Sequence, residues 1–484
     1  MPVQARVLTS AALVALSLLV VAVDANAGGL FFSDRGVRPM GRGGAFVAGA
    51  DDLGAIYYNP AGIVEAGNQV LADGSFMLFR SSYTRTARIR QYDPNTGLPT
   101  GQEWDQTFPK SNGTSTIQPI PTLAISNRFG LKDWAFALGV FSPYAAGARY
   151  DQQVAGGPNP GRYMLLNVDG SALVVPGVWA GYAPFDWLSL GIGIQALVGT
   201  YRTLTGMTTC LPDRFMCAPE QADYDATTQM SVGPIFSPGA SAGVQIKAGP
   251  YVRFGASYQL PHWVNSDATV NVRLPSAAVF DNAKQDGDQA NVKMAFPWIA
   301  RIGVEVRDVV PRTRGEVAFV YEAWSMHDQI TVTPKGIVLR DVELFPPEYR
   351  VGSISVPRGF RDTGSLRFGI EHWEPIGSYQ LDTRIGVMLE RGAIPKPYMS
   401  TLTIDLDKVV LGIGGSLHVN KIWRFDALFA HVFGMGTTVP TDQAAINPVN
   451  PVRAAGAPYP TTVNGGRYEA SANILGVGMA VNYM

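Results

Sequence analysis

Apolar and polar residues alternate with a period of two along most of the chain. In the segment LSLGIGIQ, residues 188–195, every second residue is Leu or Ile, and glycine or a polar residue stands between them. The segments ARIGVEVR and DTRIGVMLE repeat the pattern with charged residues on the second face. Successive side chains of a β-strand point to opposite faces, so this pattern predicts strands with one apolar face.

Segments of this kind predict about 14 strands, with boundaries uncertain by a few residues. A soluble sandwich also alternates, but these segments approach the roughly 9 to 11 residues of a tilted membrane strand. Tryptophans also stand near their ends, as in the interfacial girdles of a membrane barrel. The predicted strands are 69–80, 117–129, 133–141, 171–183, 187–201, 237–248, 250–273, 291–308, 315–325, 365–374, 378–390, 408–420, 422–433 and 467–483.

The predicted fold class is all-β, a transmembrane antiparallel β-barrel. An even number of strands can close without a free edge, which the bilayer requires. Short connections such as APFDW and EPIGS alternate with long ones such as 81–116 and 202–236. This alternation is typical of periplasmic turns and extracellular loops.

The first 27 residues have the order of a cleavable signal peptide. Arg6 precedes a long apolar run, and Ala25 and Ala27 occupy the A-x-A positions before Gly28. A retained membrane anchor is the alternative. Beyond this segment no stretch approaches the roughly 18 to 20 apolar residues of a membrane helix.

The composition excludes several functions. Only 16% of residues are charged and the formal net charge is -1, so we expect no nucleic-acid surface. The 5 histidines are scattered, and no G-x-S-x-G or H-E-x-x-H motif accompanies them. We therefore expect neither an enzyme nor a cofactor or metal site. A general porin or structural barrel remains the main alternative to a specific transporter, and a barrel lipase is a weaker one.

Cys210 and Cys217 are the only cysteines, in CLPDRFMC. In an exported protein they are expected to form a disulfide that closes a small loop. A metal site is the alternative, but it lacks a histidine or second cysteine pair nearby.

Residues 28–66 precede the first strand and are rich in glycine, so they have little capacity for a core of their own. A barrel of this width would otherwise have an open lumen. We therefore predict that this segment fills the lumen as a plug, with the barrel formed by 67–484.

The segment GVRPMGRGGAFVAGADDLGAIYYNPAGIV resembles the N-terminal signature of the FadL/TodX family of outer-membrane transporters for long-chain fatty acids and hydrophobic compounds. GRYMLLNVDG, FPWIARIGVEVR, FRDTGSLRFGIEHW and IPKPYMSTLTIDLDKVVLGIGGSLHVN resemble later parts of the family pattern. The resemblance implies a fourteen-stranded barrel in the outer membrane of a Gram-negative-type cell. The chain departs from the pattern at Tyr483-Met484, because such barrels often end in Phe or Trp.

The resemblance also implies passive uptake. A hydrophobic ligand would land on apolar loops, enter a pocket inside the barrel and leave sideways through the wall after an N-terminal hatch moves. We expect a monomer that meets outer-membrane lipid and the barrel-assembly machinery. The pattern does not choose between fatty acids and neutral or aromatic hydrocarbons, and it does not place the wall opening.

The predicted hatch residues are Asp51, Asp52, Asn59, Pro60 and Ala61. Either aspartate could cap a short helix from Leu53 to Tyr57 that Pro60 ends. The carboxylates could also pair with arginines of the wall, and the candidates are Arg301, Arg384 and Arg424. Helix capping alone is the alternative.

A fatty acid would need a cation for its carboxylate. Arg162 is the first candidate and Arg384 the second, although either could instead form a salt bridge within the lumen. The predicted landing surface has six residues, which ordinary loop packing would also explain: Tyr144, Tyr150, Tyr163, Met164, Leu165 and Leu166.

Overall fold

The computed structural model describes residues 34–93, 99–115, 118–142, 148–209, 221–343, 346–452 and 462–483. The predicted signal peptide, the first residues of the predicted hatch, Tyr144 and both cysteines lie outside these ranges.

Fourteen strands form one closed antiparallel barrel, which confirms the predicted fold class and strand count. The last strand closes the barrel by pairing with the first, from Gln69 opposite Asn482 to Arg85 opposite Gly466. The strands are β1 Gln69–Tyr92, β2 Gln118–Asn127, β3 Trp134–Phe141, β4 Ala172–Phe185, β5 Leu188–Thr208, β6 Asp225–Ala248, β7 Val252–Gln259 with His262–Arg273, β8 Gln289–Phe296 with Ile299–Arg307, β9 Thr313–Glu322 with Gln329–Pro334, β10 Ile354–Pro357 with Thr363–Ile376, β11 Tyr379–Glu390, β12 Lys408–His418, β13 Trp423–Gly434 and β14 Gly466–Asn482.

Several strands are longer than predicted, among them β1, β5 and β6. β1 continues to Tyr92 because its end pairs with the short strand Pro99–Thr107. The upper parts of β5 and β6 pair with each other from Tyr201 opposite Val232 to Thr208 opposite Asp225. These parts rise above the bilayer, where neither face has to be apolar, so the alternation that indicates a membrane strand is lost.

The connections hold further short elements. The strands Lys284–Asp286, Val338–Arg340 and Glu348–Arg350 form a small separate sheet. The remaining short strands are Ser111–Thr114, Arg149–Tyr150, Gln153–Val154, Gly157–Pro158 and Thr437–Val439, and the 3-10 turns are Ala222–Tyr224, Ala278–Phe280, Trp324–Met326 and Lys396–Tyr398.

The barrel is apolar outside and polar inside. In β10, Phe368 and Ile370 are exposed on the outer face, whereas Arg367 and Glu371 are buried on the inner face. Aromatic rings mark the upper boundary of the outer apolar surface, where Trp298 lies 5.5 Å from Tyr258 and 5.1 Å from Tyr321 between ring centroids. Such a row of rings across β7, β8 and β9 is typical of an interfacial girdle.

The N-terminal segment, defined here as residues 34–66, contains only short helices. They are α1 Val37–Gly41, α2 Ala55–Tyr58, the 3-10 turn Pro60–Gly62 and α3 Ile63–Ala66. The helix predicted from Leu53 begins at Ala55, and the Asp52 carboxylate accepts a hydrogen bond from Gly54 N at 2.9 Å just before it. Asn59 Oδ1 accepts from Ala61 N at 3.2 Å and caps the Pro60 turn. No helix among the described residues has the length and apolarity needed to cross a membrane.

Candidate functional site

The N-terminal segment is joined to β8 and β9 by a buried arginine. Arg42 Nη2 lies 3.1 Å from Glu305 Oε2 on β8 and 3.1 Å from Glu316 Oε2 on β9. Glu316 Oε1 also accepts hydrogen bonds from Val47 N at 2.6 Å and Ala48 N at 2.9 Å. Charge-assisted hydrogen bonds of this kind are about twice as strong as neutral ones, so they fix the position of the segment firmly on this side.

The two predicted hatch aspartates also bind arginines. Asp51 contacts Arg38 of its own segment and Arg314 of β9, each at 2.6 Å. Asp52 accepts from Arg424 Nη2 of β13 at 2.8 Å and from Arg38 at 3.0 Å. The carboxylates therefore link the segment to two separate parts of the wall, β9 and β13, in addition to the local contact of Asp52 with Gly54.

Of the three wall arginines considered as partners, the structure supports Arg424 and contradicts the other two. Arg384 Nε donates to Glu371 at 2.6 Å, and Arg301 lies with its guanidinium 4.3 Å from the centre of the Tyr57 ring. Charge type and strand position cannot distinguish these arginines in the sequence, because the choice depends on which inward residue faces the aspartates in three dimensions.

Glycines on the inner face allow the segment to approach the wall closely. A methyl group added to Gly386 of β11 would lie 2.0 Å from the carbonyl carbon of Arg42. At Gly191 of β5 the corresponding distance to the Pro60 carbonyl carbon is 2.2 Å. Carbon atoms need about 3.5 Å between them, so only glycine permits these contacts.

Asn59 holds the other end of the segment on β6. Its amide Nδ2 donates to Val47 O at 2.8 Å and to Val244 O of β6 at 3.0 Å. A methyl group on Gly243 would lie 2.0 Å from Asn59 Oδ1. The predicted hatch residues Asn59 and Pro60 thus contact the wall directly through β5 and β6.

An apolar cavity of ≈160 Å³ lies among the upper parts of β5 to β10. Its wall is formed by aliphatic and methionine side chains with few polar groups, and it lies above the girdle of Tyr258, Trp298 and Tyr321. Residues that line it include Met230, Val270, Val292, Met294, Ile330 and Val356. A cavity of this composition suits an apolar molecule.

One cation lines this cavity. Arg358 lies between the two parts of β10, is buried, and donates from Nη2 to Thr403 Oγ1 at 2.6 Å. Its guanidinium is 4.9 Å from the centre of the Phe360 ring, and its Nε has no hydrogen-bond partner in the described part of the chain. Among the described residues, no carboxylate is paired with it. Burial lowers the pKa of Arg358 to about 10, so the side chain remains a cation at neutral pH.

His327 lies beside Arg358 without adding charge. Burial and the neighbouring guanidinium lower the pKa of His327 to about 3, so the imidazole is neutral at physiological pH. Its Nδ1 is 2.8 Å from Ala295 O, and its ring centroid is 4.9 Å from that of Phe360. The positive charge at the cavity is therefore that of Arg358 alone among the described titratable groups near it.

The predicted ligand residues separate into two groups. Tyr163 and Met164 line the cavity, although the Tyr163 hydroxyl donates to Asp225 at 2.6 Å. Arg162 Nε also donates to Asp225 at 2.6 Å, as expected of the alternative salt bridge. The other described residues lie away from the cavity: Tyr150 and Leu165 pack with Val168, and Leu166 lines a separate polar cleft.

Two predicted carboxylate partners thus already contact acidic groups of the protein. Arg162 binds Asp225 and Arg384 binds Glu371, and their part in ligand binding stays a prediction. Sequence reasoning missed Arg358, which stands in VPRGFRD three residues before Arg361 with no motif to mark it. Only the fold shows that this loop arginine is buried next to apolar side chains of other strands.

A second concavity, a groove of ≈590 Å³, lies on the outer face of β2 to β5. It is flanked by exposed Leu138, Ile192 and Ile194, and it reaches Trp179, whose side chain is buried on the inner face. A methyl group on Gly193 would lie 2.1 Å from the Trp179 ring. The wall between this groove and the lumen is therefore thin at Gly193 and Trp179.

The described residues include no group of histidine, cysteine and acidic side chains that could hold a metal ion.

Comparison with known proteins gives a family and a fold. The profile of the family described as "Outer membrane protein transport protein (OMPP1/FadL/TodX)" matches residues 18–483. Comparison with curated protein sequences finds no match.

Three solved structures illustrate the shared fold. A Pseudomonas aeruginosa FadL homologue has a TM-score of 0.66 at 13% identity, covering 94% of this chain and 100% of its own. The Pseudomonas putida toluene transporter TodX has a TM-score of 0.59 at 13% identity, covering 94% and 100%. The Ralstonia pickettii toluene transporter TbuX has a TM-score of 0.54 at 16% identity, covering 93% and 99%.

Proposed function

The chain belongs to the FadL/TodX family of outer-membrane proteins that transport hydrophobic compounds, and we propose that its ligands are long-chain carboxylic acids taken up passively. The family is one of transporters rather than enzymes. The observation that carries the choice of acids is Arg358, a buried cation at the cavity that pairs with no carboxylate among the described residues.

A buried charge without a partner is costly, and the cost falls when an anion supplies hydrogen bonds to it. The apolar wall of the cavity would hold the hydrocarbon chain, and Arg358 would bind the carboxylate with its free Nε. Thr403 already holds the other side of the guanidinium at Nη2. A neutral hydrocarbon would leave the Arg358 cation without an anionic partner, so the arrangement favours an acid.

The N-terminal segment would act as the hatch of this transporter, with residues 28–66 as its full extent. It contacts β5, β6, β8, β9, β11 and β13, so it would separate the upper cavity from the lower lumen while it is in place. The groove at Gly193 and Trp179 supports a lateral exit there, because Gly193 has no side chain and the buried ring of Trp179 covers it on the inner side. An exit into the bilayer would keep an apolar ligand out of water throughout.

The test compares a long-chain acid with the alcohol of the same chain length. Charged hydrogen bonds contribute about 1.5–3 kcal/mol each, so Arg358→Met should weaken acid binding by about 10- to 100-fold. Arg358→Lys should recover part of it, and the alcohol should bind all variants equally. Binding is measured by titration of purified protein in detergent, with boiling-dependent gel mobility as the control for folding.

Arg162→Met is the matched comparison, because Arg162 was the first candidate and is already paired with Asp225. We expect it to leave the preference for the acid unchanged. Acid affinity should also fall as the pH rises through about 10, where Arg358 loses its proton. Equal loss of acid and alcohol in Arg358→Met would show that Arg358 supports the cavity without binding a carboxylate, and would favour a neutral hydrocarbon ligand.

A further inference from the structure

The hydrogen-bonded ladder between β6 and β7 is interrupted over a long stretch. Above the interruption the last paired residues are Val232 and Ala268, and below it the first are Ser241 and Gln259. At the lower edge of this stretch, Leu260 N donates to Ala240 O at 2.9 Å. We call residues 233–240 and 260–267, all of them in the described part of the chain, the β6–β7 seam.

The sequence of the seam reduces its need for a ladder. Pro234, Pro238 and Pro261 lack the N–H that a ladder would use. Side chains contact two of the backbone carbonyl oxygens instead. Ser266 Oγ donates to Pro234 O at 2.9 Å, and His262 Nδ1 lies 3.2 Å from Ser237 O. An unsatisfied backbone group in lipid costs several kcal/mol, so a wall joined through side chains here can separate at lower cost than a ladder.

His262 fills the gap from the inner side. It is buried, and a methyl group on Gly239 would lie 2.6 Å from its Cε1 atom. Its Nε2 has no partner among the described residues. The imidazole is thus held by shape and by one contact to a backbone oxygen, which a rotation of the side chain can break.

The seam lies between lipid and the cavity. On the outer face, Phe236 and Trp263 are exposed by 72% and 61%. The seam runs upward from Tyr258 of the upper girdle, so its exposed Phe236 and Trp263 lie at the outer boundary of the bilayer. On the inner face, Val232 and Ala268 are the next inward positions below Met230 and Val270, which line the cavity. Farther up the seam, Asn265 and Asp267 are also exposed, so the apolar path from the outer face passes Phe236 and Trp263.

We propose that the β6–β7 seam is a lateral entrance, gated by His262, through which a long-chain amphiphile dissolved in the outer part of the bilayer reaches the cavity. This inference rests on the proposed function, because it takes the cavity as the ligand site. The entrance is distinct from the exit groove, which lies across β2 to β5. Entry from lipid spares the ligand a passage through water, where its chain is least soluble.

The test locks the seam with a disulfide. In a Cys210→Ser, Cys217→Ser background, Ser237→Cys with His262→Cys joins the strands within the seam. The control Val232→Cys with Ala268→Cys joins register partners just above it, where the ladder is intact. The probe is 11-(dansylamino)undecanoic acid, whose fluorescence rises in an apolar site, delivered either from phosphatidylcholine vesicles that already contain it or from water to protein in detergent.

Oxidation of the seam pair should slow binding from the vesicle bilayer at least about tenfold, and reduction should restore it. The equilibrium affinity in detergent should not change, and the control pair should have no effect in either assay. Single substitutions give the same answer without a cross-link: His262→Ala should speed entry from the bilayer, whereas His262→Phe, which still fills the gap, should not.

The outcomes separate the two proposals. If the locked, unlocked and His262→Ala proteins all bind the probe from the bilayer at the same rate and keep normal affinity in detergent, the entrance is overturned. The proposed function then remains intact. Absence of acid binding even to the wild-type protein in detergent overturns both.

Discussion

Replacing Gly386 by valine should displace the N-terminal segment from its position in the lumen. The new Cβ would lie 2.0 Å from both the carbonyl carbon of Arg42 and Gly43 N. Non-bonded carbon atoms need about 3.5 Å, so the backbone of the segment would have to move by about 1.5 Å. The strand itself should tolerate the change, because Gly386 keeps its pairing with Gly369 and Gly412 and valine is favoured in strands.

The movement has a calculable cost. Arg42 contacts Glu305 and Glu316 at 3.1 Å each, and a shift of this size takes both contacts beyond hydrogen-bond range. Breaking a buried ion pair costs about 3–5 kcal/mol. The equilibrium between the seated and the displaced segment should therefore move by a factor of about 10² to 4 × 10³.

Single-channel conductance in planar bilayers provides the assay. Gly386→Val should conduct ions steadily, whereas the wild-type protein should stay largely closed. Gly74→Val is the matched control, because Gly74 is a strand glycine with nothing within 4 Å of an added methyl group. Both proteins should keep the gel shift on boiling that marks a folded barrel. Equal conductance of the two variants, with both folded, would refute the seated hatch.

Two further predictions concern the hatch and the cysteines. Asn59→Ala removes hydrogen bonds to Val47 O and Val244 O. It should therefore change the rate of labelled fatty acid uptake in cells while leaving the boiling-dependent gel shift intact. An unaltered uptake rate would argue against movement of the Asn59 end. Cys210 and Cys217 should resist alkylation until a reductant is added. The double variant Cys210→Ser, Cys217→Ser should leave the barrel folded, since a disulfide that closes a short loop contributes only about 2 kcal/mol to stability. Alkylation of the untreated protein would disprove the pairing.

The period-two pattern was sufficient to predict the barrel, because each membrane strand must be apolar on its lipid face. It also placed glycine or charge on the opposite face, but without showing what these residues contact. In the structure, Gly369, Gly386 and Gly412 lie side by side on β10, β11 and β12. They form a flat row beneath Met40 and Arg42. The inward glycines therefore mark where the N-terminal segment approaches the wall. The sequence pattern alone does not show which residue of the segment each glycine contacts.

The candidate site was harder to predict than the barrel, because it too depends on contacts that the sequence pattern does not show. Arg162 and Arg358 both stand next to glycine in loops that also contain proline. Asp225, at the start of β6, lies close to Arg162 and neutralises it, while Arg358 is brought to the cavity without such a neighbour. These differences depend on contacts between residues far apart in sequence, which alternation and spacing do not reveal.

The two ends of the N-terminal segment are held by different chemistry, and this suggests the order of release. Around Arg42 the contacts are buried ion pairs, each worth more than a neutral hydrogen bond. Around Asn59 they are neutral, from Asn59 Nδ2 to Val244 O and from Ser257 Oγ to Tyr58 O at 2.6 Å, and the next ion pairs along the segment are those of Glu65 with Lys247 and Arg253. Neutral bonds contribute about 0.5–1.5 kcal/mol each, so thermal motion should detach the part around Asn59, here called the Asn59 end, before either set of ion pairs. That end lies on Gly191 of β5, two residues from Gly193 in the wall of the outer groove. Partial release would therefore open the lumen toward the proposed exit while the ion pairs still hold the rest of the segment.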